Sequence, residues 1–313
     1  MKMRVTCFAT LLRLFLFFAV ASGLQAQEED ELLRVDVRLV NLFVNVMDAR
    51  NGFVGGLGRE DFALSEDGRA QQIAVFERES RQPLNLTLAI DTSGSVHKDR
   101  AAEAEAARRF VQGLMRPEDQ TSVLEFATNV RELVGFTHKV KEVDRALGKL
   151  HGDWATALYD AVVMGADRLG HQTGRKVLVI ISDGDDTAKS STYAQALEAA
   201  LRNEVMVYSL IDVPVEASAG RDTGGEHALI TLAEQTGGKS YYVSEGGLDK
   251  AFAQLSEDLR SQYLLAYYPR NQAPGRSFHH IELTIPRAAP GAFEIRCRTG
   301  YFVGPAEGHS SRP

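Results

Sequence analysis

The stretch Leu84-Asn85-Leu86-Thr87-Leu88-Ala89-Ile90-Asp91-Thr92-Ser93-Gly94-Ser95 decides how the chain is read. A largely apolar run of strand length, Leu84 to Ile90, opens directly onto a carboxylate and two serine hydroxyls, so oxygen donors gather where a buried strand becomes a loop. Donors of this kind suit Mg²⁺, which wants near-octahedral oxygen ligands, keeps several waters and usually takes one or two carboxylates from the protein. The spacing Asp-x-Ser-x-Ser lets three side chains of one tight turn converge, and Gly94 relieves the backbone between the serines. Taken alone, the pentapeptide reads equally well as the cap of a helix beginning near His97, because Asp and Ser are good N-cap residues.

Two distant segments bear on that choice. Thr156, in Gly152-Asp153-Trp154-Ala155-Thr156-Ala157-Leu158, begins a helical pattern, and Asp183, in Val177-Leu178-Val179-Ile180-Ile181-Ser182-Asp183-Gly184, closes a second apolar strand. In an open parallel sheet, ligands sit in the crevice beyond the carboxyl ends of the strands, where these loops can meet. The segments around them alternate. Strands at 84–90, 121–127, 130–136, 176–182, 205–211 and 239–243 are interleaved with helices at about 97–115, 139–150, 156–169, 192–203, 226–236 and 248–261. Such alternation predicts an α/β, doubly wound, mostly parallel sheet of Rossmann-like type with helices on both faces. Val177 to Ile181 is apolar at every position, as a strand covered on both sides requires.

The three motifs, in this order, resemble the metal-ion-dependent adhesion site of the von Willebrand factor type A (VWA) family, written Asp-x-Ser-x-Ser, then Thr, then Asp. The resemblance spans about residues 83–262. It implies that Asp91, Ser93, Ser95, Thr156 and Asp183 hold Mg²⁺, or Mn²⁺ or Ca²⁺ in its place. It also implies a non-enzymatic adhesion or scaffold role, in which a partner protein offers an Asp or Glu carboxylate to an open coordination position. Two features depart from a plain version of the site. Asp153, Asp185 and Asp186 share its loops, which favours cation occupancy and repels a strongly acidic partner. Trp154, the only tryptophan, stands where small residues are more usual. It reads either as a side chain packed against the neighbouring helix or as an aromatic anchor at the lip of the site.

Both flanks of this unit are β-rich. Residues 27–82 contain alternating runs and turn-rich pieces, and residues 263–303 read as three strands, Tyr263–Tyr268, Phe278–Ile285 and Phe293–Phe302. Each flank is marginal alone. They are therefore expected to form one discontinuous β-sandwich-like module with the α/β unit inserted, followed by a disordered tail at 304–313. The stretches Asp61-Phe62 and Glu66-Asp67-Gly68 resemble the β-rich leader of exported bacterial proteins with a related A domain. His279 and His280 alternate on a strand, so their side chains face opposite sides.

Lys2 and Arg4 precede an apolar run from Phe8 to Val20 and small residues ending at Ala26, the pattern of a signal peptide cleaved after residue 26. Export to a periplasm, to the cell surface or beyond it is expected, with no transmembrane segment after cleavage. Loss of Lys2, Arg4 and Arg13, with no acid among residues 1–26, moves the formal charge from -7 to -10, which argues against a nucleic-acid partner. Only Cys297 remains after cleavage, so no intramolecular disulfide is available and packing must supply stability. Metal-assisted hydrolysis is the rival reading. The chain has no Gly-x-Ser-x-Gly elbow and no Gly-x-x-x-x-Gly-Lys phosphate loop to support it. A structural part in an envelope assembly is the third reading.

Overall fold

The computed structural model describes residues 39–78, 81–94, 100–188, 190–212, 223–243, 247–270, 277–289 and 291–303. The expected signal peptide, the tail at 304–313, Ser95 and His97 lie outside them. No helix among the described residues is long and apolar enough to cross a membrane.

Four strands come first: β1 (Val40–Asp48), β2 (Ala63–Glu66), β3 (Arg69–Gln71) and β4 (Ile73–Glu77). The central unit follows, with strands β5 (Leu84–Asp91), β6 (Gln120–Phe126), β7 (Val130–Thr137), β8 (Arg175–Ser182), β9 (Met206–Ile211) and β10 (Ser240–Tyr242). They form a sheet of order β10-β9-β8-β5-β6-β7. Every pairing in it is parallel except the hairpin of β6 with β7. Six helices cover it: α1 (Arg100–Leu114), α2 (Val140–Leu147), α3 (Leu158–Gly170), α4 (Tyr193–Arg202), α5 (Thr223–Thr236) and α6 (Gly247–Arg260).

Strand alternation divides the core in two. Leu86, Leu88 and Ile90 join Val177, Val179 and Tyr208 beneath α1, α2 and α6. Ala89 joins Leu178, Ile180 and Val207 beneath α3, α4 and α5. Phe110 of α1 stacks on Phe252 of α6 at 4.3 Å between ring centroids, locking two helices of one face together. Every residue of β5 is buried, which is why its sequence lacks the in-out alternation of a half-exposed strand.

Four further strands close the chain: β11 (Tyr263–Tyr267), β12 (Phe278–Thr284), β13 (Phe293–Arg296) and β14 (Gly300–Phe302). They combine with the first four into two sheets, β13-β1-β11-β4 and β14-β12-β2-β3. Leu42, Val44, Phe62, Leu64, Tyr263, Leu265, Ile281 and Leu283 pack between these sheets as one core. The stretch 293–302, read from sequence as one strand, is two. β13 pairs with β1 and β14 with β12, so the chain changes sheets across Cys297–Thr299. The crossing is pinned to the end of α5, where the Thr299 N–H and hydroxyl both donate to the Gln235 carbonyl (3.0 and 3.2 Å).

Glu66-Asp67-Gly68 has two mechanical roles. Glu66 is 2% exposed, and its Oε2 accepts the phenol hydroxyls of Tyr267 (2.6 Å) and Tyr301 (3.0 Å), one from each sheet. Asp67 sits at φ 50° in the turn between β2 and β3, where a short polar side chain tolerates the left-handed conformation. Its carboxylate accepts the His280 N–H (3.1 Å) and meets Nδ1 of buried His279 at 2.8 Å.

A buried polar hub joins these sheets to the strand-start edge of the central sheet. Arg296 pairs with Asp258 at 2.8 Å, and Asn45 donates to the Asp258 carbonyl at 2.9 Å. The Gln262 amide donates to Asn45 (3.1 Å) and to the Tyr208 hydroxyl (3.2 Å), and receives Arg175 on its oxygen at 3.2 Å. Groups this deep are stable only with their partners, so the hub fixes the two parts against each other. Because β11 lies between β1 and β4, the N-terminal strands keep only the short β2–β3 hairpin without the C-terminal ones. A piece spanning residues 27–82 should therefore show no cooperative thermal transition by circular dichroism. A sharp melt of that piece alone would contradict the arrangement.

Candidate metal centre

Neighbouring parallel strands β5 and β8 bring the ends of two apolar runs side by side, and each run ends on an acid. Asp91 is 1% and Ser93 1% exposed, Thr156 is 3% exposed, and Asp183 is half-buried. Asp91 Oδ1 accepts the Ser93 N–H at 2.9 Å, and Oδ2 accepts the Ser182 hydroxyl at 2.6 Å. Those bonds fix the carboxylate's plane and leave lone pairs on both oxygens.

Thr156 is held by main-chain bonds from the facing loop. Its N–H donates to Thr187 Oγ1 (2.8 Å), and its carbonyl accepts the N–H groups of Thr187 (2.9 Å) and Ala188 (3.0 Å). The Asp153 N–H donates to the Thr92 carbonyl at 3.3 Å, tying the 151–155 loop to the turn after β5. On the far side, Gly184 has φ 101°, and a Cβ there would come within 2.5 Å of the Gly225 backbone. Only glycine permits that approach of the β8 loop to the start of α5.

The electrostatics follow from burial. Desolvation pushes the Asp91 carboxyl up to about 6; the Ser182 and Ser93 hydrogen bonds oppose the rise, and the nearby Asp183 charge adds to it. Asp212, at the end of β9, is also raised, first by burial and then by Asp183. Among the described residues, no Lys, Arg or His pairs with Asp91, Asp183 or Asp212. Among the described residues the arrangement therefore offers carboxylates and hydroxyls, an excess of negative charge, and no nitrogen or sulfur side-chain donor, a set that fits a hard divalent cation.

Of the residues expected from sequence, Asp91, Ser93 and Asp183 lie at the ends of the neighbouring strands β5 and β8, and Thr156 is bonded to the loop that follows β8; Ser95 falls outside the described residues. Ser182, Thr187 and Asp212 complete the surroundings and were not singled out. Ser182 directly precedes Asp183, and Asp212 follows the apolar run of β9, so the strand-end rule that found Asp91 applies equally to them. Trp154 is 92% exposed, which corrects the reading of it as packed against a helix: the 151–155 loop leans over the β5 turn and turns the ring outward. A second cluster, Glu66, Asp67 and His279, has one ligand atom from each residue within 4.8 Å of the others. These groups already bond to one another and to the two tyrosines, so they read as a clamp within the β-sheets.

The raised Asp91 makes metal-free stability depend on pH with a defined sign. A carboxyl whose folded pKa lies above its ordinary 3.8 stabilises the fold at low pH and loses that contribution as pH rises through about 6, here by about 3 kcal/mol. In chelator, the wild-type Tm should fall between pH 4 and pH 6.5. Asp91→Asn should flatten that fall, and Mg²⁺ should reverse it in the wild type alone. An equally steep fall in Asp91→Asn would show that other groups cause it.

Residues 86–185 match the von Willebrand factor type A domain, a span containing Asp91, Ser93, Ser95, Thr156 and Asp183. No curated protein matches the chain. Among solved structures, a conserved hypothetical protein, BatB from Bacteroides thetaiotaomicron, is 18% identical with a TM-score of 0.46, over 56% of this chain and 97% of that one. The vWF domain of the type V pili tip protein Mfa5 from Porphyromonas gingivalis is 12% identical with a TM-score of 0.43, over 62% of this chain and 99% of that one. Residues 86–185 of the central unit thus match a von Willebrand factor type A domain in sequence and lie on a doubly wound sheet whose motif loops share one edge.

Proposed function

We propose that this chain is an exported, non-enzymatic module that binds a partner protein through a divalent cation, Mg²⁺ or a similar ion, held by Asp91, Ser93, Ser95, Thr156 and Asp183. The observation that supports the reading is that Asp91 and Asp183 close neighbouring strands, with Ser93 bonded to Asp91 and Thr156 bonded to the loop after β8, and that no Lys, Arg or His among the described residues pairs with either acid. Ser95 joins the set through the Asp-x-Ser-x-Ser spacing. Bound there, a hard cation supplies an electrophilic position for a carboxylate from the partner.

The chain's own groups would do the rest. Ser182 and the Ser93 N–H hold the Asp91 carboxylate in place, and Thr187 holds the loop that carries Thr156. In this reading residues 83–262 carry the site, and the flanks 27–82 and 263–303 form a base on the opposite edge of the sheet. The signal-like leader supports export, to a periplasm or to the cell surface.

Calorimetric titration of the chain with Mg²⁺ or Mn²⁺ should reveal one site, and saturating ion should raise the Tm by mass action. Asp91→Ala should lose more than about 100-fold in affinity, since the removed side chain would be a direct or water-mediated anchor of the ion. Unchanged affinity in that variant would refute the assignment. A partner retained from envelope extract in Mg²⁺ should elute with chelator and should not bind Asp91→Ala.

A further inference from the structure

The rim beside the candidate metal centre carries chemistry that cation binding does not use. Trp154 is 92% exposed, yet it is not remote: a Cβ placed on Gly94 would lie 3.9 Å from its six-membered ring. The indole therefore stands over the turn that follows Asp91. A large aromatic face left in water beside a binding site is a characteristic anchor for a partner.

Its neighbour Asp153 is placed with equal definition. Hydrogen bonds from Thr128 and from the Trp154 N–H, together with His151, hold its carboxyl below the usual carboxylate range. Asp153 is thus ionised and oriented at neutral pH while exposed to solvent. A cavity of about 280 Å³ opens beside it, walled by Thr128, Arg131, His151 and Asp153, with Glu125 among its lining residues. The Arg131 guanidinium is turned onto Glu125, so the cavity's cation already has a partner within the protein.

Charge decides what this rim accepts. Asp91, Asp153, Asp183 and Asp212 are more carboxylates than one divalent ion neutralises. A partner bringing only acid to the metal adds to that excess. A cation beside the acid removes it, and the face of a tryptophan next to a fixed carboxylate is a receptor for a guanidinium or an ammonium.

We infer that Trp154 and Asp153 select partner segments in which a Lys or Arg stands within two residues of the metal-seeking Asp or Glu, its cation lying across the indole and pairing with Asp153. The inference rests on the proposed cation-dependent binding, and its test separates the two. A random peptide library is bound to the full chain in Mg²⁺ and eluted with chelator. Eluted peptides should carry an Asp or Glu with a Lys or Arg within two positions, enriched on the order of five-fold over the library. Trp154→Ala and Asp153→Asn, each assayed at a Mg²⁺ concentration that saturates that variant, should still elute acidic peptides but without that enrichment. Acidic peptides with no basic preference, or a preference that survives both substitutions, would overturn the rim assignment and leave the metal reading standing. The absence of any chelator-eluted acidic peptide would overturn both.

Discussion

Asp91 is a carboxylate at the end of a strand buried along its whole length, and the loops around it are arranged to hold it there. Removing such a group from water disfavours its charge, which is why its carboxyl rises to about 6 despite two donors aimed at it. The nearby Asp183 makes the same problem worse. Two acids brought together with no cation among the described residues are unfavourable for the fold alone, and a divalent ion, if bound there, would reverse the sign of that interaction. The hydrogen bonds of Ser182, the Ser93 amide and Thr187 hold the Asp91 carboxylate and the Thr156 backbone in place.

The opposite edge of the sheet has a different task. There Asn45, Asp258, Gln262, Tyr208, Arg175 and Arg296 form a hub with little access to water, joining strands from both ends of the chain to the central sheet. Polar groups that deep confer definition more than raw stability, because any shift strands a buried charge or amide. The two β-sheets therefore grip the edge away from the candidate metal centre and do not cover the loops at 91–94, 151–156 and 183–188.

How far the sequence spoke depended on whether a signal was local. Apolar runs ending in Asp91 and Asp183 revealed parallel strands and a shared edge, since burial on both faces and the strand-end rule are readable residue by residue. Pairing is another matter. A run such as 293–302 alternates correctly for a strand, but the change of sheets at Cys297–Thr299 depends on the Gln235 carbonyl far away in sequence. The union of Glu66 with Tyr267 and Tyr301 was invisible for the same reason, as was the outward turn of Trp154, which is set by the loop bond from Asp153 to Thr92. Ser182 and Asp212 sit at strand ends as Asp91 does, but neither belongs to the Asp-x-Ser-x-Ser, Thr, Asp pattern, so only their place on the folded sheet marks them.

The account stands on a cation held between the ends of β5 and β8. Crystals of the chain grown with Mn²⁺ and measured at the manganese absorption edge test this most directly. The account predicts one anomalous peak among Asp91, Ser93, Thr156 and Asp183, at about 2.0–2.6 Å from its directly bound oxygens. An empty loop cluster, or a single peak between Glu66, Asp67 and His279 instead, would contradict it.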